Sequence, residues 1–109
     1  MDIKNEKVGD FVVVRIDGRI DTTNYTEFEK IIADVIDGGE KKLVLDCKNL
    51  NYISSSGLRV FLITQKRLMG AGGKLHLCSM QPSIKEIFDI SGFSTIFKIY
   101  DSEAEALSN

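Results

Sequence analysis

Proline and histidine each occur once in this 109-residue chain, cysteine occurs twice and tryptophan is missing. Each scarcity removes a class of function. With one histidine, His76, and no Cys-x-x-Cys spacing, a zinc site has too few ligands, and neither metal nor cofactor is expected. Cys47 and Cys78 each end an apolar run, which suits small packing residues at the ends of strands. A disulfide between them would be unusual in the cytosol. No apolar run approaches the roughly 20 residues that a membrane span needs. The opening Met-Asp-Ile-Lys-Asn-Glu-Lys is charged and lacks the apolar centre of a secretory signal, so a cytoplasmic location is expected. Lysine and arginine number 14 against 16 acids, a net charge of −2. That balance gives no electrostatic footprint for nucleic acid.

What remains is an ordinary globular composition, 43% apolar and 28% charged, with no linker or repeat. One domain over residues 1–109 is expected. Ile3 to Lys7 reads as a weak edge strand, and the Val8-Gly-Asp10 turn joins it as an antiparallel hairpin to Phe11-Val-Val-Val-Arg-Ile16. Asp17-Gly18 should end that second strand. The first helix is expected from Asn24, with Asn24 and Glu27 as a capping box and Tyr25, Phe28, Ile31, Ile32, Val35 and Ile36 on one face. Leu43 to Asp46 is a buried strand, and Asp46 to Tyr52 is rich in loop formers. Lys74 to Cys78 and Ile96 to Tyr100 are further strands. His76 alternates with leucines in the first of these, as a partly exposed sheet residue would. Pro82 opens a third helix that Gly92 stops, and Ser102 with Glu105 caps a last one through Leu107. The order β-β-α-β-α-β-α-β-α gives an α/β fold. Its mixed, mostly parallel sheet has only the first strand antiparallel, with the helices packed on one face.

The most informative stretch is Asp46 to Leu62. Here Ser54-Ser-Ser56-Gly57-Leu58 opens an amphipathic helix that runs to about Met69. Serines at helix starts satisfy orphan backbone N–H groups, but three in a row followed by Gly-Leu exceed what a cap requires. A hydrolase nucleophile would need Gly-x-Ser-x-Gly and an aligned base; the chain has neither, so no enzyme activity is expected. There is also no glycine-rich phosphate loop ending in Gly-Lys-Ser/Thr. On the residues alone the triplet is either a solvated cap or a functional site.

Four short stretches, in order, carry a family resemblance: Gly18-Arg-Ile-Asp21, Leu43-Val-Leu-Asp46, Tyr52-Ile-Ser-Ser-Ser-Gly-Leu58 and Phe88-Asp-Ile-Ser-Gly-Phe93, with Gly72-Gly73 before the last. Together they resemble the anti-sigma factor antagonists of the STAS domain family. That resemblance implies a protein-binding regulator whose partner is an anti-sigma factor with serine kinase activity, reset by a phosphatase. The family's phosphoacceptor falls on Ser55. Ser56 takes the following Ser/Thr position, and Gly57 and Leu58 keep their identities. Many members have Asp before the acceptor, where this chain has Ser54; an acid there would orient the acceptor hydroxyl or contact the kinase, and serine there becomes a second candidate acceptor. Asp21, Thr22 and Ser54 to Leu58 are expected to form the partner surface at one end of the sheet. The resemblance leaves a second reading open, a STAS module that works without phosphorylation as an accessory subunit of a transporter or signalling assembly.

Overall fold

A computed structural model describes all residues, 1–109. Five strands lie side by side in chain order, β1 (Asp2–Val8), β2 (Phe11–Ile20), β3 (Lys42–Ile53), β4 (Lys74–Cys78) and β5 (Lys98–Tyr100). β1 is antiparallel to β2, and the remaining neighbours are parallel. Helices α1 (Tyr25–Asp37), α2 (Ser55–Gly70) and α3 (Pro82–Ile90) supply the crossovers, and α4 (Glu103–Ser108) ends the chain. Because successive strand residues face opposite ways, Val12, Val14, Ile16, Leu43, Leu45, Leu75 and Leu77 share one face. They pack there against Phe28 and Ile32 of α1, Phe61 and Leu68 of α2, and Ile84 and Phe88 of α3.

The other face corrects the expectation of helices on one side only. Phe11, Val13, Val44 and Cys78 form a smaller apolar patch, and α4 covers it with Ala106. As a terminal helix rather than a crossover, α4 is free of the handedness that puts α1 to α3 together. It is held by the Ser102 hydroxyl, which accepts the Glu105 N–H at 3.2 Å, and by an ion pair from Arg15 to Glu103. His76 lies beneath it and is buried, not partly exposed. Its ring sits 5.4 Å from Phe11 and 5.0 Å from Tyr100 between centroids, with Nδ1 2.8 Å from the Ala106 carbonyl. Burial pushes the imidazole below its ordinary pKa. Cys47 belongs to the larger core and Cys78 to the smaller. They are free thiols that burial pushes up.

A second correction positions the functional end. β2 continues through Asp17-Gly18 to Ile20, and β3 runs through the expected loop to Ile53. The pairing survives two register shifts, between Arg15 and Asp17 and between Gly18 and Arg19, with Gly18 at φ +103. Such bulges change which residues face inward. Along β3, Cys47, Leu50 and Ile53 are buried while Lys48, Asn49, Asn51 and Tyr52 are exposed. That period of three hides the strand from an alternation test. Since β4 pairs with β3 only as far as Asp46, the ends of β2 and β3 project as a two-stranded ribbon.

Candidate phosphoacceptor loop

The ribbon ends with Ile20 opposite Ile53. From there the chain turns directly into α2. The Ser54 N–H donates to the Ile20 carbonyl at 2.9 Å, the Ser54 carbonyl accepts from Leu58 N–H at 3.0 Å, and the Ser54 hydroxyl accepts from Gly57 N–H at 3.2 Å. Ser54 is therefore the N-cap, with extended backbone at φ −82 and ψ 169. Only 8% of its surface is exposed, so both its backbone and its hydroxyl are committed to the turn. As a competing acceptor it is badly placed.

Gly57 explains why this turn needs glycine. A Cβ there would sit 2.8 Å from Ile20 Cγ2 and 2.8 Å from Ile53 Cγ1, inside any normal carbon contact. The missing side chain lets α2 close down on the ribbon, with Leu58 buried in the core behind it. Gly57 and Leu58, expected on the partner surface, instead hold its shape from the inside. Ser55, the first residue of α2, is exposed, and Ser56 is half-buried. Of the three serines, Ser55 presents its side chain most fully.

Asp21 begins the neighbouring loop. Its carboxylate accepts from the Thr23 hydroxyl at 2.5 Å, the Thr23 N–H at 2.9 Å and Arg19 Nε at 3.0 Å. These bonds, the Thr23 hydroxyl foremost, hold its pKa at about 2. The acid is a fixed anion that organises its own loop. Asn24 holds the N-cap position of α1 as the sequence suggests, but its side chain makes no capping bond. It turns back, donating Nδ2–H to the Arg19 carbonyl at 2.9 Å and accepting the Asp21 N–H at 2.8 Å, so the capping box with Glu27 is not formed. Thr22 is exposed between them. Arg19 lies 4.7 Å above the centre of the Tyr52 ring, a cation–π contact. Sequence reading missed that contact because Arg19 and Tyr52 come together only through the shifted β2–β3 register.

The assembled surface therefore carries an exposed hydroxyl at the first turn of a helix, beside an anion and an arginine on an aromatic ring. Nothing within it activates Ser55 as a nucleophile, since the one imidazole is buried under α4. Backbone N–H groups at such a turn favour an anion. The arrangement can accommodate an anionic group at the exposed first turn of α2.

Residues 2–106 match the STAS domain. BtrV of Bordetella bronchiseptica, a candidate anti-sigma factor antagonist, is 37% identical over 106 residues, which span 97% of this chain and 91% of BtrV. The anti-sigma F factor antagonist of Paenibacillus polymyxa is 32% identical over 98 residues, 89% of this chain and 84% of the relative. Among solved structures, SpoIIAA of Bacillus resembles the chain at 23% identity in both its forms. The unphosphorylated form has a TM-score of 0.77 over 98% of this chain and 96% of its own; the phosphorylated form has 0.76 over 98% and 97%. That likeness shows the fold, and with the domain match and the relatives above 30% identity it leaves one assignment: the chain belongs to the STAS domain family.

Proposed function

We propose that this protein is an anti-sigma factor antagonist switched by phosphorylation of Ser55. In this reading the unphosphorylated form binds an anti-sigma factor in the cytoplasm and frees the sigma factor it holds. The anti-sigma factor, acting as a serine kinase, supplies ATP, magnesium and the catalytic base and modifies Ser55; a phosphatase restores the hydroxyl. The names of the two relatives support the role. The observation that carries the site is the contrast within the serine triplet, where Ser55 is exposed while Ser54 is tied into the cap. Ser54 in place of the family's acid is the feature that would favour a module that is never phosphorylated. Serine and aspartate are both good N-caps, so that difference no longer argues for the transporter reading.

Phosphate adds about −1.5 to −2 charges at neutral pH. At the first turn of α2 the charge is tolerated. Against a docked partner with no matching cation it costs several kcal/mol to desolvate, and each 1.4 kcal/mol or so is a tenfold loss of affinity. Binding is lost without a change of fold. The test is to incubate the protein with its cognate kinase and ATP, follow intact mass, and repeat with Ser55→Ala and Ser55→Asp. One phosphate should appear and vanish in Ser55→Ala, and Ser55→Asp should bind the partner more weakly while melting close to wild type. Full labelling of Ser55→Ala would remove Ser55 as the acceptor, and loss of fold in Ser55→Asp would mean the switch works by unfolding.

A further inference from the structure

The chain has four arginines, and three are occupied. Arg15 holds Glu6, Asp46 and Glu103, Arg19 holds Asp21, and Arg67 holds Asp37. Arg59 is exposed and makes no ion pair. It lies in α2, a helix without a single acid from Ser55 to Gly70. Helical neighbours lie three and four positions away. For Arg59 these are Ser55 and Ser56 on the N-terminal side and Leu62 and Ile63 on the other. Its only polar neighbours along the helix are therefore the two serines of the candidate acceptor loop.

The direction of the side chain favours the same meeting. Helical side chains lean toward the N-terminus, so the Arg59 stem points back over the first turn. Ser56 and Arg59 already share the wall of a groove of about 210 Å³ between α1 and α2, with Tyr25, Glu29, Val60 and Ile63. Of the neighbouring acids, Glu29 lines that groove without pairing to Arg59, and Asp21 is taken by Thr23 and Arg19.

We infer that Arg59 is the intramolecular clasp for a phosphate on Ser55. This rests on the reading of Ser55 as acceptor. A guanidinium presents a planar fork that matches two phosphate oxygens, and the i, i+4 spacing brings it within reach without unwinding the helix. Modification then changes the surface twice. It adds an anion at Ser55 and withdraws the free cation from the α1–α2 groove, so a partner that met Arg59 through an acidic group loses that contact in the same step. The clasp also shields the phosphate from a phosphatase.

The experiment installs phosphoserine at position 55 of the full chain by genetic encoding, so that no kinase is needed, and follows its second ionisation by ³¹P NMR. The wild-type phosphate should titrate about half a unit below the same phosphate in Arg59→Gln. Comparing the two removes the contribution of the helix N-terminus, which they share. Arg59→Lys should fall between them, because an ammonium keeps the charge and loses the fork. Release of phosphate by a generic phosphomonoesterase should be several-fold faster in Arg59→Gln. Identical titrations and release rates in wild type and Arg59→Gln would overturn the clasp while leaving Ser55 as acceptor untouched. Failure of a kinase to use Ser55 would remove the acceptor reading while leaving the titration result standing.

Discussion

Replacing Ser54 separates the two roles that its position in the loop offers. In Ser54→Ala the backbone bonds to Ile20 and Leu58 remain, and only the hydroxyl that accepts the Gly57 N–H at 3.2 Å is lost. An N-cap serine changed to alanine costs about 0.5–2 kcal/mol. The distance lies at the long end for N–H···O, which favours the lower half of that range. Burial of Gly57 works the other way, since an orphaned donor without access to water costs about 1–3 kcal/mol. Burial decides the balance, and we expect a loss of about 1.5 kcal/mol. For a domain near 100 residues, each kcal/mol moves Tm by about 4–8 °C, so the variant should melt roughly 6–12 °C lower. Ser54→Asp keeps an acceptor for the Gly57 N–H and adds a favourable dipole interaction of about 0.3–1 kcal/mol, against the cost of burying more charge. Its Tm should stay within about 5 °C of wild type. The same geometry changes the kinetic expectation. A carboxylate drawn onto the Gly57 N–H is turned into the helix and away from the Ser55 hydroxyl, so Ser54→Asp should be phosphorylated on Ser55 at an unchanged rate. Thermal melts and initial phosphorylation rates by intact mass test both halves. If Ser54→Ala melts with wild type, the cap contributes nothing; if Ser54→Asp is modified several-fold faster, the acid acts on the acceptor and the cap argument fails.

Two further outcomes follow from the packing. Gly57→Ala places a methyl group 2.8 Å from both Ile20 and Ile53; overpacking of about 1–3 kcal/mol should outweigh the helix preference of alanine, about 1 kcal/mol at most, and calorimetry should show a lower Tm. His76 has its folded pKa depressed by burial, so its contribution is present above the unfolded value near 6.5 and is lost as pH falls below it toward the folded value. Urea melts between about pH 7.5 and 5.5 should therefore show falling stability with a slope that is smaller in His76→Gln; Asp21 and Asp89, whose values are lowered, lose their contribution only below the ordinary carboxylate range.

Most of the architecture was legible because it rests on local signals that tertiary packing reinforces. Pro82 at the first turn of α3, Ser102 with Glu105 at α4 and the Gly9 turn at φ +60 behave as their residue types demand. The errors share one cause. Asp17-Gly18 and Asp46 to Asn51 look like breaks because polar and small residues are poor strand formers, yet each segment pairs with the other across two register shifts. Bulges let the pair stay joined while the burial period shifts, and no single segment carries that information. His76 failed for a related reason, since its burial depends on α4, 30 residues away in the chain. At the site, Ser55 was singled out by the family resemblance, while its exposure relative to Ser54 and Ser56 is seen only in the structure. The cap role of Ser54 and the interior role of Gly57 depend on where the β2–β3 ribbon ends. Arg59 was legible in principle, because its spacing from Ser55 is visible in the sequence, but its lack of any other partner is not.

These errors bear on how a switch at this site would work. A phosphate can act on a partner either by reorganising the segment that carries it or by changing the charge of a surface that stays put. The first requires a loop with few anchors. Here Ser55 sits one residue past a buried cap, on a turn tied to Ile20 by a backbone bond and pressed onto Ile20 and Ile53 at a glycine. The strand extension that sequence reading missed is what supplies those anchors. A modification at Ser55 therefore has little structure to move, and its effect on an equilibrium is limited to its differential affinity for partner-bound and free states. In the proposed switch, the discriminating power then falls to exposed groups beside Ser55 that are free to meet a phosphate or a partner, Arg59 first among them. Changing the exposed Arg59 should alter switching with little effect on stability, whereas changing Ser54 or Gly57 should alter stability first.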